Sequence, residues 1–521
     1  MGKALASSPE LDVFSRSRMK FEKIITELTS KKTDALAHGD VERLLWGEGK
    51  ELLAELLQGY LDSKGPGLAA EPVEGVDGKP RTYAREKERT LHSSFGEVVV
   101  SRMSYEAHAG PSLAPRDAEL NLPASSFSHE VSRRLAKEAL RGSIDDAVEA
   151  LAETTGAKVH KRQALALIAE AAADFTDFYA AKAVQNSQQV AQTAAIMVLS
   201  FDGKGIVMRH EALREKTQLA AKAEQHKLKT RLSTGEKRNG KRMAQVAAVY
   251  TIEPYIRTAD DVMKKTSPAP GKTPPCDPRP RPEDKRVWAS LEKESSEVIK
   301  DAFDEARRRD PQFTKQWAIL VDGNEPQIKL AKAAALKCGV KSTVVLDFIH
   351  VTEYVWRASF ALFGSGSVKG ERWVQERLLR ILRGQSSEVA AGMRRGATLR
   401  KLCRDARSAI DTCANYLLKY REYLHYDAYM AAGLPIATGV IEGACRHLIK
   451  DRMDITGARW GLDGAESILR LRSIKSSGDW DEYWAFHEKQ EWGRNHAAKY
   501  IDQTPPQTIK PARRGQLRVV K

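Results

Sequence analysis

Apolar positions recur every three or four residues through most of the first third of the chain, and this period predicts helices. The longest such segment covers 41–61 and ends before Gly65-Pro66-Gly67. Three shorter segments follow. Two begin after the N-cap candidates Ser128 and Ser143, and the third begins near Lys158. The N-terminal part of the chain is therefore predicted to be mainly helical.

The three short helices are spaced like a helix-turn-helix unit, which places the start of its last helix against DNA. That start is basic and carries Lys158, Lys161 and Arg162, which we predict to bind DNA. Three short helices can also pack together with no ligand, so an ordinary helical bundle is the alternative.

From residue 194 the pattern changes to short apolar runs that are typical of buried strands. The runs are Ala194–Phe201, Met243–Ile256, Gln316–Val321 and Thr343–Leu346. Helical segments follow the third and fourth runs. This alternation is typical of an α/β sheet with a parallel part.

Other stretches separate these regions. Residues 65–94 are polar and rich in Gly and Pro, which predicts a loop, and 95–105 form a β-rich patch. Residues 267–282 contain seven prolines and are predicted to be an extended spacer. A helical pattern over 366–430 interrupts the α/β series, and the tail from 504 is polar and basic.

The amino-acid composition limits the classes of binding partner and the compartment that are expected. The 521 residues carry 84 Lys or Arg against 69 Asp or Glu, a net charge of +15, which favours nucleic acid or an anionic surface. No apolar run approaches the ~20 residues of a membrane span, and no signal peptide is apparent. Five scattered cysteines without a paired motif fit a reducing compartment. We therefore expect a cytoplasmic protein that does not bind membranes.

Three apolar runs end in aspartate, at Asp202, Asp322 and Asp347. Ligands of an open α/β sheet bind at the carboxyl ends of its strands, so these carboxylates are expected to converge. Like charges brought together need compensation, and a pair of Mg²⁺ ions provides it for phosphoryl displacement. Each aspartate could instead be only a turn former after its strand.

A fourth carboxylate, Glu442, lies in a helical segment four residues before Arg446, with Lys450 four residues further on. This order suits a nuclease, because the acid can reach a metal while the cations contact phosphates. An ordinary solvated salt-bridge face is the alternative. Asp347 and His350 form an Asp-x-x-His element that could contact metal or phosphate, or simply cap a helix.

The segment from Lys204 to Arg242 holds twelve Lys or Arg and only four Glu. It is predicted to bind the DNA backbone without reading sequence. The cations singled out within it are Lys229, Arg231, Lys237 and Arg238. A solvated loop is the alternative.

Several of these motifs resemble the DDE transposases, and most closely the bacterial insertion-sequence transposases of the ISKra group, relatives of the Mutator-like elements. The resembling motifs are Ser200-Phe-Asp202-Gly, Leu320-Val-Asp322-Gly, Asp347-x-x-His350, Gly439-Val-Ile-Glu442-Gly and Arg446-His-Leu-Ile-Lys450-Asp-Arg452-Met453.

The resemblance implies a fold and a set of roles. It implies an α/β ribonuclease-H-like catalytic core, a mixed sheet flanked by helices, with an all-α insertion and a mainly helical N-terminal DNA-binding region. Asp202 on the first strand, Asp322 on the fourth and Glu442 would be catalytic and would hold two Mg²⁺ or Mn²⁺ ions. Asp347 and His350 would support the site. Arg446, Lys450 and Arg452 would contact DNA.

The implied activity is metal-dependent hydrolysis and strand transfer at insertion-sequence ends. The partners would be double-stranded DNA, as terminal inverted repeats and target, and further copies of the chain in a synaptic complex at the bacterial nucleoid. Two alternatives remain open: a structure-selective nuclease or resolvase of the same fold, and a domesticated DNA-binding protein without catalysis.

The predicted organisation has five parts. They are an N-terminal helical region with a linker (1–94), a β patch with the helix-turn-helix-like region (95–190), the catalytic domain (191–365 and 431–475), the all-α insertion (366–430) and a basic C-terminal tail (476–521).

Overall fold

A computed structural model describes most of the chain, which divides into two compact units. The described residues are 12–108, 110–188, 194–223, 239–266, 279–455 and 457–509, with isolated positions 228, 232, 233 and 236. One unit runs to Asp174 and resumes at Asp481, and the other is Phe175–Trp480.

The helices are numbered in chain order. They are α1 (Ser15–Leu28), α2 (Lys31–Asp34), α3 (His38–Lys64), α4 (Pro115–Glu119), α5 (His129–Ala139), α6 (Ile144–Thr154), α7 (Lys161–Ala171), α8 (Phe175–Gln188), α9 (Glu215–Ala223), α10 (Ala259–Thr266), α11 (Ser295–Arg309), α12 (Glu325–Cys338), α13 (Phe348–Phe363), α14 (Val368–Leu382), α15 (Ser386–Leu399), α16 (Arg404–Lys419), α17 (Tyr426–Ala431), α18 (Gly439–Ala444), α19 (Asp451–Met453), α20 (Leu462–Ser477) and α21 (Trp480–Asn495). A π-helical segment, Cys445–Lys450, joins α18 to α19.

The strands are β1 (Tyr83–Ser93), β2 (Gly96–Glu106), β3 (Ile196–Val207), β4 (Lys241–Ile252), β5 (Glu283–Ser290), β6 (Gln316–Val321) and β7 (Ser342–Leu346). Short 3₁₀ turns lie at His210–Ala212, Arg421–Tyr423, Ala497–Lys499 and Ile501–Gln503.

In the first unit, β1 and β2 form an antiparallel hairpin on which α3 packs through Leu57 and Leu61. Strand β1 lies inside 65–94, which the sequence analysis predicted to be a loop, so that prediction is wrong there. Most of β1 is exposed or half-exposed, so the strand carries almost none of the apolar alternation that would have revealed it.

Helices α5, α6 and α7 pack against one another, as the sequence predicts. Ser128 and Ser143 cap α5 and α6, accepting hydrogen bonds from Val131 N and Asp146 N. Helix α7 begins three residues later than expected, at Lys161, because His160 takes the N-cap position.

The first unit also contains nearly all of α21, which falls within the predicted basic tail. The structure differs from the prediction here because Tyr483, Trp484 and His487 are buried. His487 Nδ1 lies 2.6 Å from Asp174 Oδ2, and Arg494 also binds this carboxylate. This ionic cluster fixes α21 within the unit.

The second unit is built on a five-stranded sheet in the order β5-β4-β3-β6-β7. The pairs β5–β4 and β4–β3 are antiparallel, whereas β3–β6 and β6–β7 are parallel. Residues Ile196–Phe201 of the central strand β3 are all buried. Helices pack on this mixed sheet, which confirms the predicted α/β class in its coarse form.

Strand β5 is absent from the sequence prediction. Its first four residues, Glu283-Asp-Lys-Arg, are polar, and only its last four are buried. Arg286 on β5 forms an ion pair with Glu305 of α11. The same carboxylate also pairs with Arg308 and Arg309. The polar residues that make β5 difficult to predict therefore include one, Arg286, that attaches the strand to α11.

Residues 366–430 are helical, as their pattern predicts, and form α14 to α17. Helix α13, which follows β7, packs against both α14 and α16. Among the described residues, no helix combines the length and the hydropathy needed to cross a bilayer.

Candidate active site

The register of the parallel strands places three aspartates in one row. Ser200 of β3 pairs with Leu320 of β6, so two residues further along Asp202 stands beside Asp322. Val321 pairs with Leu346, which aligns Asp322 with Asp347. Adjacent strands are about 4.8 Å apart, so the three residues occupy neighbouring positions at one edge of the sheet.

Asp202 is half-buried, and its two carboxylate oxygens accept different hydrogen bonds. Gly203 N donates to Oδ1 over 2.6 Å, and Cys445 Sγ donates to Oδ2 over 3.0 Å. Burial raises the pKa of Asp202, and the nearby charge of Asp322 adds to this, while both hydrogen bonds lower the pKa. The charge of Asp322 thus acts on Asp202, its neighbour in the row.

Asp322 is held through both its carboxylate and its backbone, and its Oδ1 accepts from Asn324 N over 2.9 Å. Tyr416 Oη donates to the carbonyl oxygen of Asp322 over 3.1 Å, and Tyr420 Oη donates to that of Gly323 over 2.5 Å. Gly323 has φ of 99°, and a Cβ there would lie 2.9 Å from Tyr416 Oη. Helix α16 of the insertion therefore fixes the turn that presents Asp322.

Asp347 is buried, and both oxygens of its carboxylate accept hydrogen bonds from other residues of the chain. Oδ1 accepts from Ile349 N over 3.1 Å and from Thr438 N over 3.2 Å, while Oδ2 accepts from Thr438 Oγ1 over 2.7 Å. Thr438 is the N-cap residue of α18. Asp347 thus ties the end of β7 to the start of the helix that carries Glu442.

Glu442 is exposed on α18, the helix whose start is bound by Asp347. Ile441, Leu448 and Ile449 bury this helical segment in the core, and Cys445, three residues after Glu442, contacts Asp202. Residues three apart on a helix are neighbours on its surface. Glu442 is therefore carried on the helix that contacts Asp202, one turn before the contact.

Burial raises the pKa of the Cys445 thiol, and the charge of Asp202 raises it further. The thiol is therefore a stable hydrogen-bond donor to Asp202. Sequence analysis missed Cys445, Thr438, Tyr416 and Tyr420 as parts of the site. The signal in the sequence that could have indicated Cys445 is its position three residues after Glu442.

His350 lies on α13 beside an open cavity of about 430 Å³ next to Asp322. Its ring meets the edges of Tyr354 and Tyr416, and those two tyrosines stack with centroids 4.0 Å apart. His350 Nδ1 is 3.8 Å from Glu353 Oε2. The cavity is lined by Asp322, Gly323, Asn324, His350, Tyr354, Thr412, Tyr416, Lys419 and Tyr420.

No three His, Cys, Asp or Glu side chains within the described residues are grouped closely enough to hold a metal ion. Metal binding by Asp202, Asp322 and Glu442 therefore stays a prediction. The donor set is suited to it, because two adjacent carboxylates, one with a raised pKa, are stabilised by a cation. Carboxylate oxygens are the ligands that Mg²⁺ takes.

The cations predicted to bind DNA differ in exposure. Arg446 and Lys450 are exposed on the π-helical segment that follows the Glu442 helix. Arg452 is buried, with its guanidinium 4.7 Å from the ring centre of Trp460, and this packing removes it from the surface. The prediction that Arg452 contacts DNA is therefore not supported by its position.

In the first unit, Lys158 is exposed three residues before α7, and Lys161 and Arg162 are exposed in its first turn. Lys161 Nζ is 2.5 Å from Asp145 Oδ2. The cations Lys229, Arg231, Lys237 and Arg238 lie outside the described residues.

A comparison of the chain with protein-family models and with curated proteins found no match. The fold and the site define a class only: a mixed α/β protein with three aspartates in one row, one within β3 and two directly after β6 and β7, and with a glutamate helix attached to that row.

Proposed function

We propose that this protein is a DNA transposase with a ribonuclease-H-like catalytic domain and a DDE site made of Asp202, Asp322 and Glu442. The observation that carries the proposal is the register that sets Asp202 beside Asp322, with the Glu442 helix attached to Asp202 through Cys445. Asp202 lies on the first strand of the five-stranded sheet and Asp322 follows the fourth, which supports the assignment.

Asp202, Asp322 and Glu442 would hold two Mg²⁺ or Mn²⁺ ions, which lower the pKa of water and neutralise charge on a phosphodiester. Asp347 keeps the Glu442 helix in place through Thr438, and Tyr416 and Tyr420 hold the turn of Asp322. The contribution of the chain is thus orientation, because its own contacts hold Asp202, the turn of Asp322 and the start of the Glu442 helix before substrate arrives.

DNA contacts follow from the exposed cations. Arg446 and Lys450 are proposed to bind phosphates near the scissile bond, while Lys158, Lys161 and Arg162 bind terminal repeats. The reaction is hydrolysis of a phosphodiester at the element end, followed by attack of the freed 3′-OH on target DNA. Further copies of the chain would hold two ends together at the nucleoid of a bacterial cytoplasm.

The test incubates purified protein and Mg²⁺ with DNA that carries the ends of the element encoding it. Asp322→Asn and Glu442→Gln should lower the cleavage rate by on the order of 100-fold or more, because each removes a metal-binding carboxylate. Glu353→Gln is the matched control, since Glu353 is an exposed glutamate near His350 that lies outside the row. Equal cleavage by wild type and both site variants would falsify the proposal.

The same reaction separates the two alternatives. Joining of the 3′-OH to a target plasmid distinguishes a transposase from a nuclease or resolvase, which cleaves without joining. Binding without metal-dependent cleavage at any end would favour a non-catalytic DNA-binding protein.

A further inference from the structure

Helix α3 has three faces, and two of them are covered within the first unit. One face packs on α1, where Lys20 Nζ of α1 lies 2.7 Å from Glu48 Oε2 and Phe14 lies against Gly59. A second face packs on the β1–β2 hairpin, where Gln58 exchanges hydrogen bonds with the backbone of Val99.

The third face is apolar and exposed. Trp46, Leu53 and Tyr60 follow one another at intervals of seven residues, with Leu56 between the last two, and their exposed fractions are 57%, 43%, 45% and 41%. A seven-residue repeat keeps side chains in line along the face of a helix that packs on another helix. These four residues are called the α3 stripe below.

Trp46, Leu53 and Tyr60 of the α3 stripe are symmetric about Leu53, whereas the mirror position of Leu56 is Lys50. Trp46 and Tyr60 lie seven residues to either side of Leu53, and Glu42 and Lys64 lie eleven residues to either side. An antiparallel copy of α3 centred on Leu53 would therefore place Trp46 opposite Tyr60 and the acid opposite the cation at both ends. A parallel copy would place like charges together.

We propose that the α3 stripe is the contact surface for a second copy of this chain, which docks its own α3 antiparallel about a two-fold axis near Leu53. Such an isologous contact uses the same surface on both partners and so closes as a dimer. Charge complementarity between Glu42 and Lys64 selects the antiparallel direction. The proposal does not depend on the proposed catalytic function.

The affinity expected for the proposed dimer depends on the size of the interface between the two α3 helices. From Glu42 to Lys64 the helix is about 33 Å long, at 1.5 Å per residue. One helix against one helix gives a smaller interface than permanent dimers have, so the dimer should form in a concentration-dependent way. The measurement is therefore sedimentation of the full chain without DNA, from about 1 to about 100 μM.

Wild type should shift from monomer towards dimer across this range. Leu53→Glu would put two carboxylates at the axis and should weaken dimerisation by on the order of 100-fold or more. Leu165→Glu is the matched control, because Leu165 on α7 is similarly exposed, at 45% against 43% for Leu53, and lies outside the stripe. A chain that stays monomeric at 100 μM, or a dimer insensitive to Leu53→Glu, overturns the proposal.

Cross-linking tests the direction. Under mild oxidation Leu53→Cys should give a covalent dimer, because both copies of residue 53 meet at the axis. Trp46→Cys should not, since its two copies would be about 21 Å apart along the antiparallel helices. Cross-linking of both variants would indicate a parallel pair and overturn the antiparallel arrangement. Wild type under the same oxidation accounts for the native cysteines.

Charge reversal gives an independent check that leaves the apolar stripe intact. Glu42→Lys and Lys64→Glu should each weaken the dimer several-fold, and the double variant should recover most of the wild-type affinity. No recovery in the double variant would contradict the proposed pairing of the two ends.

Discussion

Asp202 and Asp347 belong to the same row across the parallel strands, Asp202 within β3 and Asp347 directly after β7, but they lie in opposite surroundings. Asp202 is next to a second carboxylate and has a raised pKa. Asp347 is buried against Thr438 and the start of α13, where hydrogen bonds use its oxygens. Position in the row thus makes an aspartate a candidate, but its neighbours decide whether it is suited to bind a ligand or to hold the fold.

The largest expected difference between the two residues is in stability. Asp347→Ala removes a buried acceptor and leaves the amide and hydroxyl of Thr438 without it, which should cost about 3 kcal/mol of unfolding free energy. Asp202→Asn, the matched variant, should cost little or stabilise the chain, because it removes a carboxylate that burial disfavours. Urea unfolding without divalent metal measures both. A larger loss in Asp202→Asn would reverse the comparison.

The second difference is in pH dependence. Asp202 has a folded pKa above its ordinary value of 3.8, so its contribution to stability is present below that value and is lost as the pH rises through the folded pKa. Wild type should therefore lose stability relative to Asp202→Asn as pH rises from about 4 towards neutrality. Mg²⁺ at pH 7 should restore wild type more than the variant. Parallel unfolding curves at every pH would contradict this expectation.

A smaller effect is expected where α16 holds the turn of Asp322. Tyr416→Phe and Tyr420→Phe each remove one hydrogen bond to this turn, which should cost about 1 kcal/mol of stability and reduce cleavage. Tyr354→Phe is the control, because Tyr354 lines the same cavity and stacks on Tyr416 without such a bond in the described residues. A loss of stability and cleavage in Tyr354→Phe as large as in the other two variants would contradict a specific role for the two hydrogen bonds.

The smallest effect is expected at Cys445. Cys445→Ala removes a hydrogen bond that lowers the pKa of Asp202, so the proton should compete better with metal. Mg²⁺ affinity near pH 6 should fall several-fold in Cys445→Ala and less in Cys445→Ser, which keeps a donor. Calorimetric titration at pH 6 and pH 8 measures this, and an equal loss at both values would rule out the pKa effect.

The sequence predicted what depends on local pattern. The apolar runs that end in Asp202, Asp322 and Asp347 are strands or strand ends, because continuous apolar residues indicate burial on both faces of a parallel sheet. The helical pattern of 366–430 is local too. Strands β1 and β5 were not predicted because their exposed positions are mostly polar, which leaves no apolar run or alternation to indicate a strand.

What the sequence could not predict depends on residues that are distant along the chain. Tyr416 and Thr438 join the site from positions 94 and 91 residues after the groups they contact, and no local pattern indicates such pairs. Arg452 looked like one more surface cation, but Trp460 eight residues later covers it. Tertiary packing, rather than residue type, separates these cases.

The π-helical segment Cys445–Lys450 has a consequence for how the glutamate helix is anchored. A regular α-helix repeats every 3.6 residues and offers one continuous apolar stripe, whereas a wider turn accommodates an extra residue and shifts the residues after it around the axis. Cys445 can therefore face the sheet edge while Leu448 and Met453 fill the interior beyond it. The glutamate helix thus keeps Cys445, Leu448, Ile449 and Met453 in one buried cluster across the change in its winding.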